Sequence, residues 1–196
     1  MMKELLVLLA ASFLVLFSSS DASSTPVQWT SDGNGHYYEL FLNDYITWTD
    51  ANSAANAKTY NGMPGHLATL TSQEENAFVF NLGDVGCFWL GGFQPADFDE
   101  ATQGVDKGWQ WVTGEAWAYT NWALNEPSSI VEDHLQIFWN ESGWNDLSDT
   151  HTGSATVHGY VVEYEPVPEP ATMLLIGSGL LGLAGLRRKI KTRSPQ

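Results

Sequence analysis

The rhythm of apolar positions changes several times along the 196-residue chain. The first apolar run, Leu5–Phe17, is continuous and has no amphipathic face. Lys3 precedes it and small residues follow, with Ser20 and Ala22 spaced for cleavage after Ala22, so residues 1–22 read as a secretory signal peptide. Tyr37–Leu42 is aromatic-rich and reads as a strand. Thr47 then opens a helical stretch, with Asp50 three residues on as a weakened capping box. Ala51, Ala54, Ala55 and Lys58 favour the helix, and Gly62 and Pro64 are expected to end it. His66–Leu70 reads as a short extended link. Ser72, with Glu75 as its reciprocal partner, is expected to cap a second helix. That helix would place Ala77, Phe78 and Leu82 on one face and stop at Gly83.

Beyond Gly83 the helical signals cease. "FWLGGF", "GWQWVTGE", "DHLQIF" and "GYVVEYE" are short apolar or aromatic runs split by Gly, Pro, Asn and Asp, and read as strands. A long polar loop between Gly92 and Gly108 carries Asp97, Asp99, Glu100 and Asp106, and a second irregular stretch runs from Thr120 to Val131. Loops of this length in a compact domain carry function or are disordered. There is no internal repeat. The order, strand then two helices then several strands, places the chain in the α+β class.

Charge narrows the partners. Between residues 23 and 165 the strong bases are Lys58 and Lys107, against 20 Asp and Glu, giving 2 − 20 = −18. Such a domain repels a phosphate backbone, so nucleic acid is excluded as a partner. The acids also cluster: Glu126, Glu132, Asp133 and Asp146 gather with almost no Lys or Arg nearby, which asks for a cation. Cys87 is the single cysteine, so no internal disulfide can form, and its apolar neighbours suggest a small buried side chain. The five histidines share no metal-ligand spacing. Trp109, Trp111 and Trp122 are expected in the core.

The carboxyl end is a separate segment. Pro166, Pro168 and Pro170 form a stiff lead-in, followed by 16 residues from Ala171 to Leu186, apolar or small, and then by Arg187, Arg188, Lys189 and Lys191. As a helix the apolar run would be about 24 Å long, marginal for a bilayer. The Pro-Glu-Pro triplet, the short Gly-rich run and the terminal bases over residues 166–191 resemble a PEP-CTERM sorting signal. The resemblance implies transient membrane contact through this segment, cutting near the triplet by an exosortase-type enzyme, and export through a Gram-negative envelope. The mature protein would lie at the cell surface or in extracellular matrix. The expected layout is therefore a signal peptide at 1–22, a lead at 23–35, one domain at 36–165, the sorting segment at 166–191 and a tail at 192–196.

Within the domain, "TWTDANSAA", "GHLATLTSQEENAFV", "FWLGG", "NEP", "GWND" and "GYVVEY" occur in the order and spacing that resemble the C-type lectin domain. The resemblance implies a double-looped α+β fold in which Tyr37–Leu42 pairs with Tyr160–Tyr164. By the same resemblance Glu126 stands at the family's Glu-Pro-Asn motif, Glu132 opens its Glu-Asp pair, and Asn145 and Asp146 belong to its Trp-Asn-Asp motif. The implied site is one Ca²⁺ held by Glu126, Ser128, Glu132, Asn145 and Asp146. Two sugar hydroxyls would complete its shell and bond to Glu126, Glu132, Asn145 and Asp146. Pro127 would follow a cis bond, and Trp139 is the candidate to stack on the sugar. Oxygen donors of this kind suit Ca²⁺, which accepts six to eight of them in irregular geometry. Ser128 stands where the motif has Asn, and His134, Asp149 and Val162 stand where the family places disulfide cysteines.

Other readings of the same residues remain. Trp144-Asn145-Asp146 alone is compatible with a turn. Asp97, Asp99, Glu100 and Asp133 could form a second calcium site or a solvated loop. Glu126 and Glu132 as a glycosidase acid pair would need an apolar pocket to raise one pKa, and both lie on one polar loop. A formylglycine-generating relative of the fold would need more than one thiol. The sequence therefore points to a non-enzymatic, exported, Ca²⁺-dependent module for a glycan or exopolysaccharide, with a calcium-independent structural or protein-binding domain as the alternative.

Overall fold

Thr47 opens the first helix, α1 (Trp48–Asn56), with its hydroxyl accepting the Asp50 N–H at 3.0 Å. The structure, a computed structural model, describes residues 22–30, 33–83, 86–137, 143–150 and 157–166. The signal-peptide run, Trp139 and the apolar C-terminal run lie outside the described residues. Among those described, no helix is long and apolar enough to cross a membrane.

Helix α1 ends at Asn56, earlier than the Gly62–Pro64 stop suggested by its sequence. Asn61 and Gly62 both have positive φ, 50° and 81°, and join β4 (Thr59–Tyr60) to β5 (Met63–Leu67) as a two-residue hairpin turn. The Asn-Gly pair is suited to that turn because its twist needs a left-handed backbone at both positions. The "HLATL" link is thus partly strand. The second helix, α2 (Gln73–Phe80), has Ser72 as cap, its hydroxyl accepting the Glu75 N–H at 3.1 Å. Its buried residues are Glu75, Asn76 and Val79; of the expected apolar face, Phe78 and Leu82 pack against the core while Ala77 is exposed.

The remaining elements are β1 (Ala22–Ser23), β2 (Val27–Gln28), β3 (Tyr37–Leu42), β6 (Cys87–Phe93), α3 (Glu100–Gln103), β7 (Gln110–Trp111), β8 (His134–Ile137), β9 (Trp144–Leu147) and β10 (Val157–Tyr164). The lead at 23–35 was read without strands, yet β1 and β2 both pair with β3. Strand β10 lies against β3 in antiparallel register from Gly159↔Leu42 to Tyr164↔Tyr37, as the resemblance implied. It also pairs with β5 antiparallel and β6 parallel, so the chain closes on itself at its last strand. Gly159 permits the crossing, since a Cβ there would sit 1.8 Å from the Phe41 carbonyl oxygen.

Both faces of this sheet are covered. Phe88 and Leu90 join one core with Tyr38, Leu70 and the Trp109–Trp111–Trp144 group, while Trp89 joins Trp48, Ala51, Ala55 and Tyr160 on the other. Successive strand side chains point to opposite faces, so a strand buried on both sides reads as an unbroken apolar run. Cys87 begins that run but is only half-buried, which corrects the expectation of a buried thiol. Its amide donates to His158 Nδ1 at 3.2 Å.

Candidate functional site

The irregular stretch after β7 folds back onto β9. Ala123 N–H donates to the Trp144 carbonyl at 2.9 Å, and Trp144 N–H donates to the Asn121 carbonyl at 2.7 Å. Trp144 is fully buried, its ring edge-on to those of Trp111, Tyr119 and Trp122, and its indole N–H reaches Asn76 Oδ1 at 2.7 Å. This aromatic bed, not a disulfide, fixes where the following polar residues stand.

From Ala123 the chain turns sharply. Asn125 takes a left-handed conformation (φ 71°), and the Glu126–Pro127 bond is cis, as the resemblance implied. Cis geometry is tolerated before proline because the trans preference is small there. The turn brings Ser128 and Ser129 over β9. The Ser128 N–H donates to both Asp146 carboxylate oxygens at 3.0 Å, and the Ser129 N–H to Oδ2 at 3.1 Å. Asp146 is fully buried, and the Glu126 side chain contacts it alongside these two amides.

Glu126 lies against this pair. Its Oε2 is buried with no hydrogen-bond partner. Burial above all, opposed by a hydrogen bond from Ser128 and reinforced by contact with Asp146 and the charge of Glu132, pushes the Glu126 carboxyl up to about 7. Glu132 is also raised, first by burial and then by Asp146. Two carboxyls pushed toward protonation around a third is the signature of an uncompensated negative site.

The predicted residues are not all equally gathered. Glu126, Ser128 and Asp146 meet directly, and Glu132 is within electrostatic reach. Asn145 is 8% exposed and stands opposite Gln136 in the β8–β9 ladder, while Asp146 stands opposite Leu135. Among the described residues no three His, Cys, Asp or Glu side chains already form a group that could hold a metal ion. The donor set is nonetheless all oxygen, as Ca²⁺ requires.

The second acidic group is divided. Thr102 hydroxyl donates to Asp99 at 2.7 Å, and Asp133 lies 2.8 Å from His134 Nδ1, which outweighs burial and lowers the Asp133 carboxyl. Asp97 and Asp99 are exposed. Glu100, by contrast, is raised by burial and by the charges of Asp133 and Asp146, and its Oε1 is buried without a partner. Its membership in the Asp146 neighbourhood was not legible, because 46 positions separate the two in sequence. Gln136 was missed as well: its side-chain amide is wholly buried with both polar atoms unpartnered, directly across from Asn145. The alternation His134-Leu135-Gln136-Ile137 was its one sequence signal.

Residues 166–189 match the PEP-CTERM protein-sorting motif. Halomucin of Haloquadratum walsbyi is 30% identical over 165 residues, covering 72% of this chain but 2% of that protein. The perlucin-like protein of Mytilus galloprovincialis is 27% identical, covering 62% of this chain and 74% of its own length. Of solved structures, the C-type lectin CEL-I from Cucumaria echinata superposes with a TM-score of 0.56 at 25% identity, covering 71% of this chain and 96% of that one. The chain therefore contains a domain with the C-type lectin fold and, behind it, a PEP-CTERM protein-sorting motif.

Proposed function

We propose that the domain is a Ca²⁺-dependent carbohydrate-binding module, displayed at the cell surface or released into extracellular polymer. One observation carries the calcium reading: the buried, unpartnered Oε2 of Glu126, pressed against Asp146 where no base is at hand. At neutral pH such a group needs either a proton or a cation, and a hard dication meets the need of Glu126, Glu132 and Asp146 together. Glu126, Ser128, Glu132, Asn145 and Asp146 are the residues that would hold it. When bound, Ca²⁺ would neutralise the carboxylates and offer open coordination positions to sugar hydroxyls. Glu126 and Asn145 would orient those hydroxyls by hydrogen bonds, and the cis turn at Pro127 keeps Glu126 facing Asp146. Trp139 is the proposed stacking partner. The module binds and does no chemistry.

The sorting motif supports export, with an exosortase-type enzyme as a transient partner and a Gram-negative envelope as the setting. The producer's own exopolysaccharide is the proposed ligand. A glycan array probed with 1–5 mM Ca²⁺, which saturates a site of about 10 μM affinity, and again with chelator, tests this. Retention that vanishes with chelator supports it; no retention in either condition rejects it. The rival, a calcium-independent binding domain, is favoured by Ser128 and by the absence of a closed three-ligand group among the described residues. Retention unchanged by chelator would select that rival.

A further inference from the structure

Outside the acidic loop, a groove of about 530 Å³ opens between α1, β5 and the end of β7. None of its lining residues belongs to the Glu126–Asp146 cluster. Its volume lies in the range of small-molecule sites, which combine an apolar floor with a few convergent polar groups. Trp48, Phe93 and Val112 supply the apolar part, with the Trp48 and Phe93 rings 5.7 Å apart. Asn52, Asn56, His66 and Thr113 supply the polar part.

The hydrogen-bonding capacity left in this groove is specific. His66 Nδ1 lies 2.9 Å from the Leu67 carbonyl, which can only accept, so Nδ1 carries the proton. In the neutral ring Nε2 is then an acceptor, and it is buried without a hydrogen-bond partner. The half-exposed Glu165 lies 3.4 Å from it but makes no hydrogen bond there. Across the groove, the Asn56 amide donates to the Asn52 carbonyl at 2.8 Å and to the Asn52 side-chain oxygen at 3.1 Å. That leaves the Asn52 NH₂ to donate and the Asn56 oxygen to accept, whereas the Thr113 hydroxyl already donates to Glu115 Oε2 at 3.0 Å and accepts the Glu115 N–H at 3.3 Å.

Charge decides the class of ligand. In a chain of net charge −15, no Asp, Glu, Lys or Arg is among the described residues lining the groove. The nearby Glu165 and the overall negative field oppose an anionic ligand, and nothing in the lining pairs with a cation. A ligand with an apolar ring face and a periphery of hydroxyls satisfies both halves of the lining. We propose that this groove is a second, calcium-independent saccharide subsite that takes one residue of a neutral glycan, with a hydroxyl donating to His66 Nε2. Trp48 also packs on His134 at 4.4 Å, next to Asp133 at the end of the acidic loop.

The test is an NMR titration of the full chain in EDTA with cellotetraose, mannotetraose and tetragalacturonate. At least one neutral tetrasaccharide should shift the His66 ring and the Asn52 and Asn56 side-chain amide signals saturably, and tetragalacturonate should not. His66→Ala should weaken that binding by about tenfold, the loss of one hydrogen bond, whereas His66→Gln, which keeps an acceptor, should retain most of it. Absence of a saturable shift with both neutral probes, an equal response to tetragalacturonate, or undiminished binding in His66→Ala would overturn the proposal. Calcium-dependent retention in His66→Ala tests the acidic loop separately, so the two readings fail independently.

Discussion

Asp146 already has a role before any cation arrives, because its carboxylate accepts the Ser128 and Ser129 amides and pins the cis turn to β9. Asp146→Ala leaves two partly buried N–H groups without an acceptor. It should destabilise the calcium-free fold by about 1–3 kcal/mol, read from urea midpoints. This role was hidden in the sequence, where Trp144-Asn145-Asp146 was open to reading as a turn; an acid in a buried strand is unexpected until its amide partners are seen. Glu126 gives a pH prediction. Its folded pKa, about 7, lies above the ordinary 4.5. The raised value means that the folded state holds the proton more tightly than the unfolded chain. The associated stability is fully present below pH 4.5 and is lost as pH rises through about 7. Without calcium, Glu126→Gln should flatten that decline and melt higher than the wild type at pH 8. The same variant should lose any response to Ca²⁺. A wild-type melting point that stays level from pH 4.5 to 8 in EDTA contradicts the assignment.

Helix α2 shows where element-level reading succeeded and where it failed. Ser72 caps it as the pattern suggests, but the Glu75 side chain does not return to Ser72. It accepts instead from Thr71 N–H at 2.6 Å, Asn34 at 2.9 Å and the Tyr38 hydroxyl at 2.5 Å. Beside it Glu163 of β10 takes the Thr69 amide at 2.9 Å and lies 2.6 Å from His36 Nδ1. Two wholly buried carboxylates thus tie α2, β3, β10, the lead residue Asn34 and His36 together. The pattern of apolar periodicity could not show this, because the helix buries acid and amide where an apolar face was expected. Tyr38→Phe removes a hydroxyl shared by both acids and should destabilise by about 1–3 kcal/mol, the range for a buried group left unpaired. His36 titrates upward, chiefly through its bond to Glu163, against burial and with further help from Glu165 and Glu75. A raised histidine stabilises fully below its ordinary 6.5, and that gain is lost as pH rises through the folded value. His36→Gln should remove this alkaline loss, and the His36 ring signal should titrate above 6.5 in an NMR pH series.

Over the whole molecule, the order of short motifs carried the fold although no single one did. The β3–β10 closure, the cis Glu126–Pro127 bond and the buried Trp109 and Trp111 all stand where sequence reasoning placed them. Legibility ended where separate elements meet: Glu100 beside Asp146, Gln136 beside Asn145, and the lead strands on β3. No local periodicity announces these contacts. With one cysteine in the chain, a reducing agent should leave the melting point unchanged. The intact mass of the exported protein should begin near Ser23 and end near the Pro-Glu-Pro triplet; recovery of Leu174–Leu186 in the mature species would contradict processing at the sorting motif. The central claim is that calcium answers the acidic cluster, and thermal unfolding at pH 8 with 1 mM Ca²⁺ against EDTA tests it most directly. A site of about 10 μM affinity at that concentration stabilises by about 2.7 kcal/mol and should raise the melting point by roughly 5–11 °C. The rise should be absent in Glu126→Gln, and a wild type that melts at the same temperature in calcium and in chelator would contradict the account.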